Sequence, residues 1–238
     1  MDTEEMLELS QEFAALGGEL CGDGDNLAAL HRMVELAVKH IDGCSWASIT
    51  VVNSGTGHSL VVSDPVAAKA DELQYALNEG PCLSAAENDA NYLMFDVAGE
   101  TRWPKYAQAL LEQTPVRSVL SFDLVVQDSA ALNLFAELPG AFDDDSMSTA
   151  AIFAAHATTL VALHEAQGAA DNLESALASS RRIGAAIGVL MAHHKVTEDA
   201  AFAMLRTSSQ HLHRKLRDIA VEVVETGTLP EQVPTPAR

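Results

Sequence analysis

The chain has 238 residues, 34 of them acidic and 14 basic, for a net charge of −20 with histidine neutral. Apolar residues make up 48%, enough for one large domain or two modest ones with packed cores and against disorder throughout. The acidity argues against general nucleic-acid binding by the whole surface, and no uninterrupted run of about 18 apolar residues points to a membrane span.

Three cysteines (Cys21, Cys44, Cys82) without CxxC spacing fit a reducing compartment better than a disulfide scaffold or zinc knuckle. The opening Met-Asp-Thr-Glu-Glu is acidic where a secretory signal would be basic, so the cytoplasm is the expected location. Charge is unevenly spread. Residues 1–177 hold 6 basic and 28 acidic side chains, whereas residues 178–230 hold 7 and 5, a net of +2. Two segments with separate roles follow from that asymmetry.

In chain order, residues 3–20 carry helical spacing in Met6, Leu7, Phe13, Leu16 and Leu20. A Gly-Asp-Gly-Asp break at 22–25 precedes a second helix, with Asp25 as its cap and Gly43 after it. Trp46 to Val52 and Leu60 to Val62 form a predicted hairpin around Gly55 and Gly57. A helix over 65–78 opens on Pro65. Asn78 to Cys82 is turn-like, and Leu93 to Val97 a short strand. Trp103 to Gln113 is helical. Arg117–Gln127 and Ala130–Glu137 are two apolar strands.

The run Asp143-Asp144-Asp145 opens a long helix reaching about 193, with acids where the positive helix end favours them. Leu163, Ala170, Leu177, Gly184 and Met191 recur every seven residues, and Ala166, Leu173, Ser180 and Ile187 interleave at the same period. That series is compatible with a coiled coil. Thr197 caps a helix to about Gln210, and another runs from about Arg214 to a Gly227 stop. Prolines 230, 234 and 236 mark a frayed tail. The expected class is α+β: an antiparallel sheet flanked by helices, a long connecting helix and a C-terminal three-helix bundle.

Ser180-Arg181-Arg182-Ile183-Gly184-Ala185-Ala186-Ile187-Gly188-Val189-Leu190-Met191, Thr197 to Arg206, Ser209-Gln210 and Lys215 to Ala220 resemble the ANTAR domain of bacterial antiterminators. The resemblance implies a dimeric three-helix module that binds nascent RNA carrying two adjacent stem-loops. Ile183, Ile187, Leu190, Phe202, Leu205, Leu216, Ile219, Ala220 and Val223 are its expected packing positions, and small Ala186, Gly188 and Ala201 would permit close approach. The RNA-binding candidates are Arg181, Arg182, Gly188, Arg206, Ser209, Gln210, His213, Arg214, Lys215 and Arg217, since cations and hydroxyls suit phosphates and loop bases. The chain departs from the family at Ala185, often glutamine, at Ile187, often lysine, and at His213, often asparagine.

Asn78-Glu79-Gly80-Pro81-Cys82-Leu83-Ser84-Ala85 resembles a motif of GAF domains that precede ANTAR modules, with Ser63-Asp64-Pro65, Trp103-Pro104, Val116 to Leu120 and Pro139 to Phe142 in support. The resemblance implies a mixed sheet-and-helix sensor, often dimeric, that in some members holds a small ligand. Trp46, Cys82, Phe95, Trp103 and Phe122 are candidates to line such a pocket, although large aromatics more often build a core. The expected domains are an N-terminal helix at 1–24, a GAF-like sensor and dimerisation domain at 25–165, an ANTAR-like domain at 166–230 and a disordered tail at 231–238.

HExxH, GxSxG, P-loop and GxGxxG patterns are absent in useful contexts. His193-His194 and His211-x-His213 do not place two imidazoles on one helical face. The expectation is a non-enzyme with no cofactor and no metal. It is an RNA-binding antitermination regulator under a GAF-like sensor, working as a homodimer, off the membrane, with room for an unknown small ligand. The competing reading is a ligand- or protein-binding sensor whose ANTAR-like bundle only dimerises.

Overall fold

The computed structural model describes residues 3–20, 26–53, 56–88, 90–126 and 129–230. The expected cap Asp25, Cys21 and the tail at 231–238 lie outside them. The chain divides into two compact units, residues 1–166 and 167–238.

The first unit opens with α1 (Thr3–Leu20) and α2 (Asn26–His40). Strands β1 (Trp46–Asn53) and β2 (Thr56–Val62) form the expected antiparallel hairpin. Helix α3 (Pro65–Leu77) starts on Pro65, with the Asp64 carboxylate accepting from the Val66 amide at 2.8 Å. It stops at Asn78, whose φ of 50° is the left-handed cap conformation. Helix α4 (Pro81–Asn88) was not anticipated, because its eight residues are too few for a periodic signal. Strand β3 (Tyr92–Met94) is shorter than the expected 93–97, since Asp96 caps a 3₁₀ turn at Val97–Gly99. Helix α5 (Pro104–Gln113), β4 (Ser118–Leu124) and β5 (Ser129–Ala136) complete the sheet, which is antiparallel throughout in the order β2-β1-β5-β4-β3.

Both faces of the sheet are covered, so alternate residues serve two cores. Ile49, Val51, Leu120, Phe122, Leu132 and Leu134 pack with α1, α2 and Phe153, Ala157 and Val161 of α6 (Asp144–His194). Val119 and Phe135 pack on the other side with Met94, Trp103, Tyr106 and Leu110. The α1–α2 pair is also clamped by polar contacts. The Lys39 ammonium lies 3.0 Å from Glu8 and 2.9 Å from Glu12, and the His40 imidazole 2.6 Å from Glu12.

Helix α6 also alters the membrane expectation. Over one 18-residue window its mean hydropathy reaches 1.4, which meets the length and composition of a span. Its many alanines and scattered large apolar residues raise the average without forming an unbroken run. Part of that window, 44%, is buried inside the protein, as in a core helix.

In the second unit, the C-terminal part of α6 packs with α7 (Glu198–Leu212) and α8 (Leu216–Thr226) around Leu190, Leu205, Ile219 and Val223. The Thr197 hydroxyl caps α7 by accepting from the Ala200 amide, and Gly227 ends α8 at φ 80°. Phe202, expected in this core, is instead exposed. It neighbours Ala201, which the fully buried register of α7 turns inward, and successive helical residues point about 100° apart.

Candidate functional site

The five aromatic and cysteine candidates of the first unit do not gather into a pocket. Phe122 faces the α1–α2–α6 side, while Trp103 and Trp46 pack on the other. The cause is strand alternation, which sends Ser121 and Phe122 to opposite faces. Phe95 is 63% exposed and its ring lies over Gly140, where a Cβ would sit 2.5 Å from it. Trp103 is a buried anchor: its indole N–H donates to Ser84 Oγ at 3.0 Å, and the Arg102 guanidinium lies 4.5 Å over its ring.

Cys82 is the one of the five that lies within a polar cluster. Between the sheet and α3–α4–α5 sits buried Asp71, to which Ser59 donates at 2.7 Å and Asn133 Nδ2 at 3.2 Å. Asn133 accepts in turn from Ser121 at 2.8 Å. Thr50 Oγ1 and Cys82 Sγ are 3.0 Å apart, and the Cys82 amide donates to Gln74 Oε1 at 2.9 Å. Two buried polar atoms here, Gln74 Nε2 and Tyr106 OH, have no hydrogen-bond partner among the described residues. Burial pushes the Asp71 carboxyl up to about 7, partly opposed by its hydroxyl and amide donors. Burial, with the Asp71 charge second, pushes the Cys82 thiol up to about 12, the reverse of a reactive thiolate. Asp71, Asn133 and Gln74 were missed in the sequence. The signal was faint: an aspartate and a glutamine on the inward stripe of α3, and polar residues at inward positions of β1 and β5.

Two histidines of the first unit have notable neighbours. Glu8, Glu12 and His40 are close enough to share an ion, their ligand atoms lying within 4.8 Å of one another. Lys39 already brings a positive charge to both carboxylates there. His156 stacks on Phe13, with ring centroids 4.0 Å apart.

The RNA candidates all fall in the second unit. Arg181, Arg182, Gly188, Arg206, Gln210, His213, Arg214, Lys215 and Arg217 are exposed, and Ser209 is half-buried. They are not equally available. Ser209 donates to the Arg214 carbonyl at 2.6 Å, which closes the α7–α8 turn. His213 holds the left-handed cap of α7 at φ 51°. Arg214 pairs with Glu222 at 2.6 Å, and Arg217 lies 3.7 Å from Asp218. Arg181, Arg182, Arg206 and Lys215 have no ion pair among the described residues. Gly188 faces open space, with nothing within 4 Å of a Cβ placed there. It therefore relieves no contact within the chain, unlike buried Ala186 and Ala201.

Residues 171–224 match the family model described as ANTAR domain. No curated protein matches the chain. Among solved structures, the GAF domain of a phosphoenolpyruvate-protein phosphotransferase from Acinetobacter aligns at 13% identity and TM-score 0.51, over 70% of this chain and 97% of that one. The corresponding GAF domain from Coxiella burnetii aligns at 13% identity and TM-score 0.51, over 68% and 98%. The fRMsr of Staphylococcus aureus in its reduced form aligns at 13% identity and TM-score 0.51, over 67% and 96%. At that identity the likeness is one of fold. The chain thus carries a GAF fold followed by an ANTAR domain.

Proposed function

We propose, from a GAF fold joined to an ANTAR domain, that this chain is a cytoplasmic transcription antitermination regulator. It binds nascent RNA carrying two adjacent stem-loops under control of the GAF-fold unit and catalyses no reaction. The observation that carries the reading is the ANTAR match at 171–224, laid over a three-helix module whose unpaired cations are exposed. RNA binding is the coarse expectation for an ANTAR domain. The stem-loop pair is the finer one.

Dimerisation supports the second hairpin. Leu173 and Leu177 are 61% and 51% exposed on α6, at interleaved seven-residue positions. A second copy of this helix would bury them. Two modules joined in one dimer gain effective concentration for adjacent hairpins that neither has alone. The polar cluster around Asp71 is the part of the GAF-fold unit best suited to respond to a small molecule, because its unpartnered buried atoms carry a free-energy cost until something bonds to them.

The test is binding of the full chain to a double stem-loop RNA, a single stem-loop and duplex DNA, with salt varied between about 50 and 200 mM. Preference for the double stem-loop supports the reading. Replacing Arg182, Arg206 and Lys215 together with alanine should abolish that binding and leave the oligomeric state unchanged. Retained RNA binding in that variant contradicts the assignment of the cations. Dimerisation with no RNA binding in the unaltered chain favours a sensor whose bundle serves only for assembly.

A further inference from the structure

A groove of about 410 Å³ on the outer side of α7 is not accounted for by the cation set. Ala203, Met204, Leu212, Leu229 and Pro230 supply its apolar lining, and Thr207, Ser208 and His211 its polar groups. Residues 204, 207, 208 and 211 share one face of α7 because they recur at helical spacing, while Ala201 and Leu205 face the core. The opposite wall exists because α8 ends at Gly227 in the left-handed conformation. The Thr226 hydroxyl then fixes the turn by donating to the Thr228 carbonyl at 3.0 Å and accepting from the Thr228 amide at 3.3 Å. The volume lies within the range of small-molecule pockets, about 300–1,000 Å³.

Electrostatics selects the occupant. The ANTAR span 171–224 holds seven cations and six acids, a net of 7 − 6 = +1. Arg214 and Arg217 are already engaged by Glu222 and Asp218. Phosphate neutralisation scales with the number of cations offered, so it can supply only part of an RNA affinity here. The remainder must come from bases. Bases are open to recognition in single-stranded loops, where they stack on rings and apolar surface and bond through their edges. The groove offers both: an imidazole and five apolar residues for the base faces, and two hydroxyls for an edge. A helical peptide anchors through apolar residues repeated over several turns, and here Thr207, Ser208 and His211 interrupt the apolar strip along α7 between Met204 and Leu212.

We propose that this groove receives one extruded nucleobase from a bound RNA loop, with Thr207, Ser208 and His211 reading its edge. The inference rests on the RNA-binding reading above. It is tested with the full chain and a double stem-loop RNA in which 2-aminopurine replaces each loop purine in turn. One loop position should change its fluorescence on binding and the others little. Ala203→Trp, which fills the groove from an exposed position, and His211→Ala should each weaken binding by at least about tenfold, in keeping with the loss of one stacked base. Both should leave the salt dependence unchanged, because the phosphate contacts persist. Equal affinity in the two variants, with no position-specific fluorescence change in the unaltered chain, overturns the groove alone. Absence of RNA binding by the unaltered chain overturns both readings. The fluorescence scan needs no substitution in the protein, so a variant that fails to fold does not decide the matter.

Discussion

Replacing Asp71 with asparagine should change how the first unit responds to pH more than it changes its shape. Asp71 is fully buried, receives hydrogen bonds from Ser59 and Asn133, and has no cationic partner among the described residues. The groups whose charge it influences, Tyr75, Cys82 and Tyr106, are all neutral at neutral pH and are themselves pushed upward by burial first. Asp71 therefore keeps its proton in the folded chain up to about pH 7. In the unfolded chain it loses that proton near pH 4. The sign follows from linkage. Between those limits the folded state holds the extra proton, so its stability falls as pH rises, by about 1.4 kcal/mol per unit. The loss is complete above about pH 7 and amounts to about 4 kcal/mol over the roughly three units separating the two states. Asparagine keeps the size and one acceptor but has no proton to lose. The other acids of this chain impose their own pH slope, so the informative quantity is the difference between variant and unaltered chain. Urea unfolding followed by tryptophan fluorescence isolates the right unit, because both tryptophans, Trp46 and Trp103, lie in it. The variant should gain on the unaltered chain steadily from pH 4.5 to 7.5. Parallel curves for the two would refute the claim that a neutral Asp71 stabilises the fold.

The ANTAR unit offers two sharper tests of its own. Leu205→Ala removes a fully buried side chain from a core of seven buried residues, four of them larger than alanine, and should cost about 2–5 kcal/mol. Loss of helicity at lower temperature, with tryptophan fluorescence unchanged, is the expected signature; unaltered helicity would mean that Leu205 is not central to that core. Gly188→Ala meets open space on an exposed helical position, so it should stabilise the module by about 0.5–1 kcal/mol. If RNA affinity falls although the melting temperature rises, a partner backbone passes over Gly188; if both hold or rise, its glycine serves no contact.

The elements that the sequence resolved are those with long periodic signals or strong punctuation. The antiparallel strands, α5 behind Trp103-Pro104, the long α6 and the Thr197 and Gly227 boundaries were all readable because local chemistry decides them. Helix α4 was not, since one short helix behind Gly80-Pro81 leaves too few residues to show a period. The aromatic candidates of the first unit are scattered for a different reason. Large aromatics stand out in a sequence, whereas which face of a strand they occupy depends on register, and one step in β4 separates Ser121 from Phe122. The polar cluster gives the opposite weighting: Ser48, Thr50, Asp71 and Asn133 are unremarkable one at a time, and only the antiparallel pairing of β1 with β5 sets Ser48 opposite Asn133. The same holds for the RNA surface. Composition counts Arg214 and Arg217 with the other cations, but α8 gives each an acid partner in Glu222 and Asp218. The ANTAR span holds seven cations against six acids, so the proposed groove assigns to Thr207, Ser208 and His211 a selectivity that phosphate contacts would not supply.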